Sequence, residues 1–191
     1  MSIQFETTRT TESHATITKS GESVVIEVPF AYDTAIEPFY DEENGCLRYA
    51  VRQDDTSEYE FPEGVFFADA SVEGAEAPNA LFEEFDTGQL PEGELLAVGK
   101  YNHGMVSYTV HGDKTYPDME WDYGICGVIF VPNDFTNPRE AASAILEEYT
   151  DWCNGNVYML IEVPLNHEDE WDVCGGVIGD KAITEAVKFG L

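Results

Sequence analysis

Basic residues are scarce in this chain. Nine Lys and Arg stand against 38 Asp and Glu in 191 residues, a formal net charge of −29. That scarcity excludes direct nucleic-acid binding, because phosphate contacts need clustered Lys or Arg. Between Gln53 and Gly99 there is no Lys or Arg at all. Long apolar runs are missing too, so no membrane-spanning helix is expected. The opening Met1-Ser2-Ile3-Gln4-Phe5-Glu6 has neither the basic start nor the apolar stretch of a signal peptide, and the expectation is a cytoplasmic protein. Cysteine is sparse and unpaired in sequence. Cys46, Cys126, Cys153 and Cys174 form no Cys-x-x-Cys motif and read as reduced thiols, not as a disulfide framework or a metal site.

Catalytic signatures are also wanting. There is no Gly-Lys-Ser/Thr phosphate loop, no Gly-x-Gly-x-x-Gly and no Gly-x-Ser-x-Gly elbow. Cys174-Gly175-Gly176-Val177-Ile178-Gly179 is glycine-rich but has no basic residue to meet a phosphate, and reads as a turn or bulge. His14, His103, His111 and His167 form no metal pair at helical spacing. His103 and His111 read as exposed polar residues, and a Cys174–His167 nucleophile pair is the weaker alternative. Asp41-Glu42-Glu43-Asn44-Gly45 and His167-Glu168-Asp169-Glu170-Trp171-Asp172 are acidic, yet neither has the alternating ligands of a calcium loop, and both read as solvated loops. No cofactor, no metal and no enzymatic activity are expected.

Against these absences stands a hydrophobic content of 43% with 13% aromatics. Chains of extreme charge are usually too poor in apolar residues to fold. This one has enough for a core, so its acids must clothe a folded body. Duplex DNA carries one charge per ~1.7 Å of axis, about 24 over ~40 Å. A compact chain of this length has a diameter of about 40 Å. The charge therefore matches a duplex in magnitude. Halophilic adaptation is a competing reading, but 11 Phe, 10 Tyr and a preference for Glu over Asp speak against it. Self-repulsion on this scale destabilises the fold at low salt.

The periodicity predicts strands at Ile3–Glu6, Ala15–Thr18 and Ser23–Phe30, the last two joined at Ser20-Gly21-Glu22, and another at Cys46–Val51. Glu58-Tyr59-Glu60-Phe61 alternates with strand period, acids on one face and rings on the other. Asn79–Phe85 reads as a short helix and Leu90-Pro91-Glu92-Gly93 as a turn and boundary. Leu95–Tyr101 and Met105–Val110 are strands around Asn102-His103-Gly104, and Ile125–Val131 is an apolar central strand. Asn137-Pro138 opens a main helix over about 138–153, with Ala141, Ala142, Ile145, Leu146, Tyr149 and Trp152 as its apolar stripe and Gly155 as its stop. Val157–Val163 is a strand, and Asp180 starts a short C-terminal helix through Val187, ended by Gly190. The expected fold is α+β: a mostly antiparallel sheet with the two helices packed on it. Two regions are expected, an acidic β-rich 1–90 and an α+β 91–191, as two domains or one continuous one.

From Leu95 onward, about half the chain resembles small uncharacterised proteins of phage and plasmid accessory regions. The resemblance rests on Tyr101-Asn102-His103-Gly104, Trp121-Asp122-Tyr123-Gly124, Gly127-Val128-Ile129-Phe130-Val131, Tyr149, Gly155-Asn156-Val157-Tyr158 and Asp172-Val173-Cys174 with Gly176. This chain departs from that pattern at Tyr123, where the family has Ser, and at Gly175, where it has Trp. The resemblance implies a mobile-element origin and no mechanism. By analogy of charge alone, the chain is similar to acidic anti-restriction and anti-CRISPR proteins that imitate DNA. The expected function is an inhibitor or decoy occupying the basic DNA-binding surface of a host defence protein, a restriction enzyme or CRISPR effector. Its expected phosphate mimics are Asp54, Asp55, Glu58, Glu60, Glu63, Glu83, Glu84, Asp86, Glu168, Asp169, Glu170 and Asp172, with Tyr59 and Phe61 holding their carriers in place. The alternatives are an accessory domain for some other protein partner, its charge serving solubility, and an enzyme with an unrecognised site.

Overall fold

Every strand pairing among the described residues is antiparallel, and the two longer helices each pack on one sheet, so the fold is α+β. The structure is a computed structural model that describes residues 2–8, 12–19, 22–28, 34–53, 58–69, 91–165 and 171–190. The chain divides into two compact units, Met1–Thr56 with Gly155–Leu191, and Ser57–Asn154. The boundary expected near residue 90 falls inside the second unit. Residues 66–69 pair with the strand at 123–132, which ties them to the later half of the chain. The expected helix at 79–85 lies outside the described residues.

In the first unit β1 (Ser2–Thr8), β2 (Glu12–Lys19) and β3 (Glu22–Glu27) form a three-stranded meander. A second sheet has the order β11-β10-β5-β4, from β4 (Thr34–Asp41), β5 (Cys46–Arg52), β10 (Val157–Pro164) and β11 (Asp172–Ile178). The two central strands show period 2. Leu47, Tyr49, Val51, Ile161 and Val163 join Val28 in a core on one face. Ala50, Tyr158 and Leu160 face Ile183, Ala186 and Val187 of helix α3 (Asp180–Phe189) on the other. On α3 these buried positions recur at three and four residues, the spacing of an amphipathic stripe. Between Tyr158 and Leu160 the pairing with β11 slips, two residues of β10 spanning three of β11. Gly176, at φ +77°, absorbs the bulge, so the glycine-rich run is backbone geometry.

The charged centre of this sheet is Arg48. It is 4% exposed, and its guanidinium donates to Asp41 Oδ2 at 2.9 Å and to Glu162 Oε2. Glu162 lies opposite Arg48 on the neighbouring strand, and Asp41 closes the β4–β5 hairpin. Asp41 Oδ1 also accepts the Glu43 and Asn44 amides at 3.0 and 3.2 Å, and Oδ2 accepts Asn44 Nδ2 at 2.7 Å. Chiefly the bonds from Asn44 hold the Asp41 carboxyl down at about 2, from an ordinary 3.8. A folded value below the unfolded one stabilises at pH above the unfolded value and is lost as pH falls through about 2. Asn44→Ala is expected to raise the Asp41 titration midpoint toward 3.8, read by carboxyl-carbon NMR. An unmoved midpoint would assign the depression to Arg48 and the amides of Glu43 and residue 44 alone.

The second unit holds a sheet of order β6-β9-β7-β8, from β6 (Phe66–Asp69), β7 (Gly93–Asn102), β8 (Val106–Val110) and β9 (Tyr123–Pro132). The expected apolar strand is interior here. Helix α2 (Pro138–Cys153) has Asn137 as N-cap, its side chain accepting the Glu140 amide, and Pro138 in its first turn. Its buried Ala142, Ile145 and Leu146 meet Val98, Tyr108, Val110, Ile129 and Val131. Burial of a side chain such as Leu146 contributes about 1.5–3 kcal/mol. Gly155, at φ +73°, ends the helix as its sequence position predicts.

The last turn of α2 also covers the free edge of β8. Asn154 Nδ2 donates to the Val106 carbonyl at 2.8 Å, and Asn154 Oδ1 accepts the Val106 amide at 3.0 Å. Thr150 Oγ1 accepts the Tyr108 amide at 2.8 Å and donates to the Tyr108 carbonyl at 3.5 Å. Two side chains thus stand where a fifth strand would bond. Helix α1 (Met119–Asp122), a single turn with no buried residue, was not legible in the sequence.

Candidate acidic binding face

Residues 58–62 in the second unit belong to no helix or strand and lead into a turn at 63–64, in place of the strand that the alternation of 58–61 predicts. The alternation itself holds: Glu58 and Glu60 are exposed, Tyr59 and Phe61 half-buried. What replaces a neighbouring strand is helix α2. The Tyr59 ring meets Tyr149 edge-on with centroids 5.2 Å apart and lies 6.0 Å from Trp152, and Phe61 lies 5.4 Å from Tyr149. Tyr59 and Phe61 themselves meet at 4.8 Å, 81° apart. Edge-to-face pairs of this kind add about 0.5–1.5 kcal/mol beyond the area they bury. The Tyr59 hydroxyl donates to Glu148 Oε1 at 2.8 Å. Burial first, and Glu148 second, push the Tyr59 phenol well above its ordinary value, so it stays a neutral donor.

The ring cluster therefore fastens one acid-bearing segment to another. Glu140 and Glu147 on α2 lie seven residues apart and Asp151 four beyond, so the three share the helix face opposite the apolar stripe. Along the axis Glu140 and Glu147 are separated by about 10 Å, and Glu147 and Asp151 by about 6 Å. Glu140, Glu147 and Glu148 are exposed, as are Glu58, Glu60 and Glu63. No described acid in the chain is buried.

Of the expected phosphate mimics, Glu58, Glu60 and Glu63 come together on this segment. Asp172 is exposed at the start of β11, in the other unit. Asp54, Asp55, Glu83, Glu84, Asp86, Glu168, Asp169 and Glu170 lie outside the described residues. Glu140, Glu147, Glu148 and Asp151 were missed, although their spacing on a helix predicted from the same residues was there to be read.

A second ring cluster lies elsewhere in this unit. Tyr101 and Tyr116 stack at 4.5 Å and 9°, His103 stacks on Tyr101, and Tyr123 continues from Tyr116 to His111. Tyr123 lies against Gly99 so closely that a Cβ there would fall 1.9 Å from the phenol oxygen. His111 Nδ1 and the Tyr123 hydroxyl are 2.8 Å apart. His103 Nδ1 contacts Asp122 Oδ2 at 2.7 Å, and that carboxylate raises the imidazole above its ordinary value. Both histidines are exposed, as expected.

Among the described residues no three His, Cys, Asp or Glu side chains converge as metal ligands. Asp41, in one of the two acidic runs, spends its carboxylate on its own turn and Arg48. The Cys46 and Cys126 thiols are buried, Cys153 is half-buried and Cys174 exposed. Burial, then Glu162, pushes the Cys46 thiol up to about 11, which leaves it unreactive at neutral pH. Among the described residues no helix is long and apolar enough to cross a membrane. Comparison with protein-family models, with curated proteins and with solved structures finds no match.

Proposed function

We propose that this chain is an acidic inhibitor or decoy that occupies the basic nucleic-acid-binding surface of a host protein, in the manner of anti-restriction and anti-CRISPR DNA mimics. The observation that carries the reading is the fastening of the segment bearing Glu58 and Glu60 to α2, where Tyr59 and Phe61 pack on Tyr149 and Trp152 and the Tyr59 hydroxyl holds Glu148. Solubility alone asks only that charge be exposed. A face to be recognised needs its charges held in place, because a mobile side chain loses entropy on binding. Single exposed ion pairs contribute little, so the affinity of such a face is collective and its association rate depends on salt.

The test is capture of partners from host lysate, followed by competition with excess duplex DNA at rising salt. Nucleic-acid-binding proteins released by the duplex are the expected result. Partners that resist displacement, or that bind no nucleic acid, overturn it. The triple substitution Glu58→Gln, Glu60→Gln and Glu147→Gln is expected to slow association with the captured partner about tenfold at low salt and to flatten its salt dependence.

A further inference from the structure

Trp121 is 84% exposed in a helix of one turn that buries nothing. A large aromatic side chain left in water contributes nothing to a core, so packing does not explain its position. The backbone before it is costly: Asp118, the N-cap of α1, has φ +54°, and among the described residues it is the one non-glycine residue with positive φ. The Asp122 amide bonds the Asp118 carbonyl at 3.2 Å, and two further contacts hold this turn in place. Trp121 donates its backbone amide to the Asp118 carbonyl at 2.9 Å, and Asp122 meets His103 of the β7–β8 turn. The neighbouring residue of that turn but one, Met105, is also exposed, at 59%.

The charges around Trp121 are of one sign. Residues 112–122 contain Asp113, Asp118, Glu120 and Asp122 against Lys114 alone. Asp113 is engaged by Arg139, and Asp122 by His103. Asp118 and Glu120 are exposed, Asp118 as the cap residue whose carbonyl accepts the Trp121 amide and Glu120 as the residue next to Trp121. An indole face carries negative potential and attracts cations, arginine above all, whose flat guanidinium stacks on the ring while its N–H groups reach a carboxylate.

We infer that Trp121, with Asp118 and Glu120, is an anchor for an arginine side chain of the basic partner. The inference rests on the proposed function and deepens it: electrostatics gathers the partner, and this aromatic site selects arginine over lysine. It also fits the composition of interaction hot spots, in which Trp and Arg are over-represented and tend to meet.

The test titrates the full chain with oligoarginine and, separately, oligolysine, following the Trp121 indole N–H by NMR. Oligoarginine is expected to move that resonance. Trp121→Ala, which removes no buried contact, is expected to bind oligoarginine about five- to thirtyfold more weakly, with Trp121→Phe retaining much of the affinity. Oligolysine is expected to bind by charge alone and to be nearly indifferent to both substitutions. A resonance that stays still while oligoarginine binds, or equal binding by Trp121→Ala and wild type, overturns the inference. The two readings fail separately. If Trp121→Ala matches wild type while duplex DNA still displaces captured partners, the anchor falls and the decoy stands. If the indole moves but the partners resist duplex DNA, the decoy falls and the anchor stands.

Discussion

An alanine at position 48 is expected to lower the stability of the first unit by about 3 kcal/mol. Arg48 is the sole cation between Asp41 and Glu162, and at 4% exposure its guanidinium is replaced by nothing when it is removed. Two carboxylates on the strands either side of β5 would then be left without a counter-charge, and one of them is 16% exposed. Set against a total stability of about 5–15 kcal/mol for a domain, such a loss is large. Arg48→Met separates the causes. It keeps the aliphatic stem and its packing, so what it loses beyond wild type is the ion triad. The sign with pH is that of an acid-labile contact: the gap between Arg48→Met and wild type is widest where the carboxylates paired with Arg48 are ionised and narrows as acid neutralises them. Denaturant midpoints at neutral and acid pH measure both effects. A midpoint for Arg48→Ala within error of wild type would show that the triad contributes no net stability.

The second large effect is expected at the end of α2. Thr150→Val with Asn154→Ala removes four hydrogen bonds to the backbone of Val106 and Tyr108. At about 0.5–1.5 kcal/mol each, the expected loss is about 3 kcal/mol. The qualitative outcome is more telling than the midpoint. With its N–H and C=O groups open, β8 becomes a template for another strand. The double variant is therefore expected to scatter light at concentrations where wild type does not, and to do so before it melts. Unchanged melting together with unchanged scattering would mean that water replaces both side chains without cost.

The local elements were legible because their signals are local. Asn137-Pro138 and Gly155 bound α2 where the sequence places its ends, and Ala142, Ile145 and Leu146 are the buried members of the predicted stripe. The pairing of strands was less so. Phe66–Asp69 is short and alternates poorly, so only its partner β9, far along the chain, makes it a strand. Glu58–Phe61 shows the converse. Its period 2 is real, but Tyr149 and Trp152 supply the surface that the rings need, and no ladder forms. The two helices were expected on one sheet and pack on different ones, because Ile183 and Leu146 belong to separate cores. Of the acidic site, the segment 58–63 could be found from its lack of bases, whereas Glu148 required seeing that the Tyr59 hydroxyl reaches it across 89 residues of chain.

The discontinuity of the first unit has a consequence for how the chain is made. Strands β5 and β10 are neighbours, Arg52 paired with Tyr158, and the Gln53 amide bonds the Val157 carbonyl at 2.8 Å. Everything from Ser57 to Asn154 is thus inserted at the tip of one hairpin. On a ribosome delivering about 5–20 residues per second, the inserted unit emerges before β10 does. Strand β5 must wait for it, with the edge that β10 will cover still open. The later segment, β10 through α3, closes the older sheet, so β4 and β5 gain their native neighbours only after the inserted unit has been made.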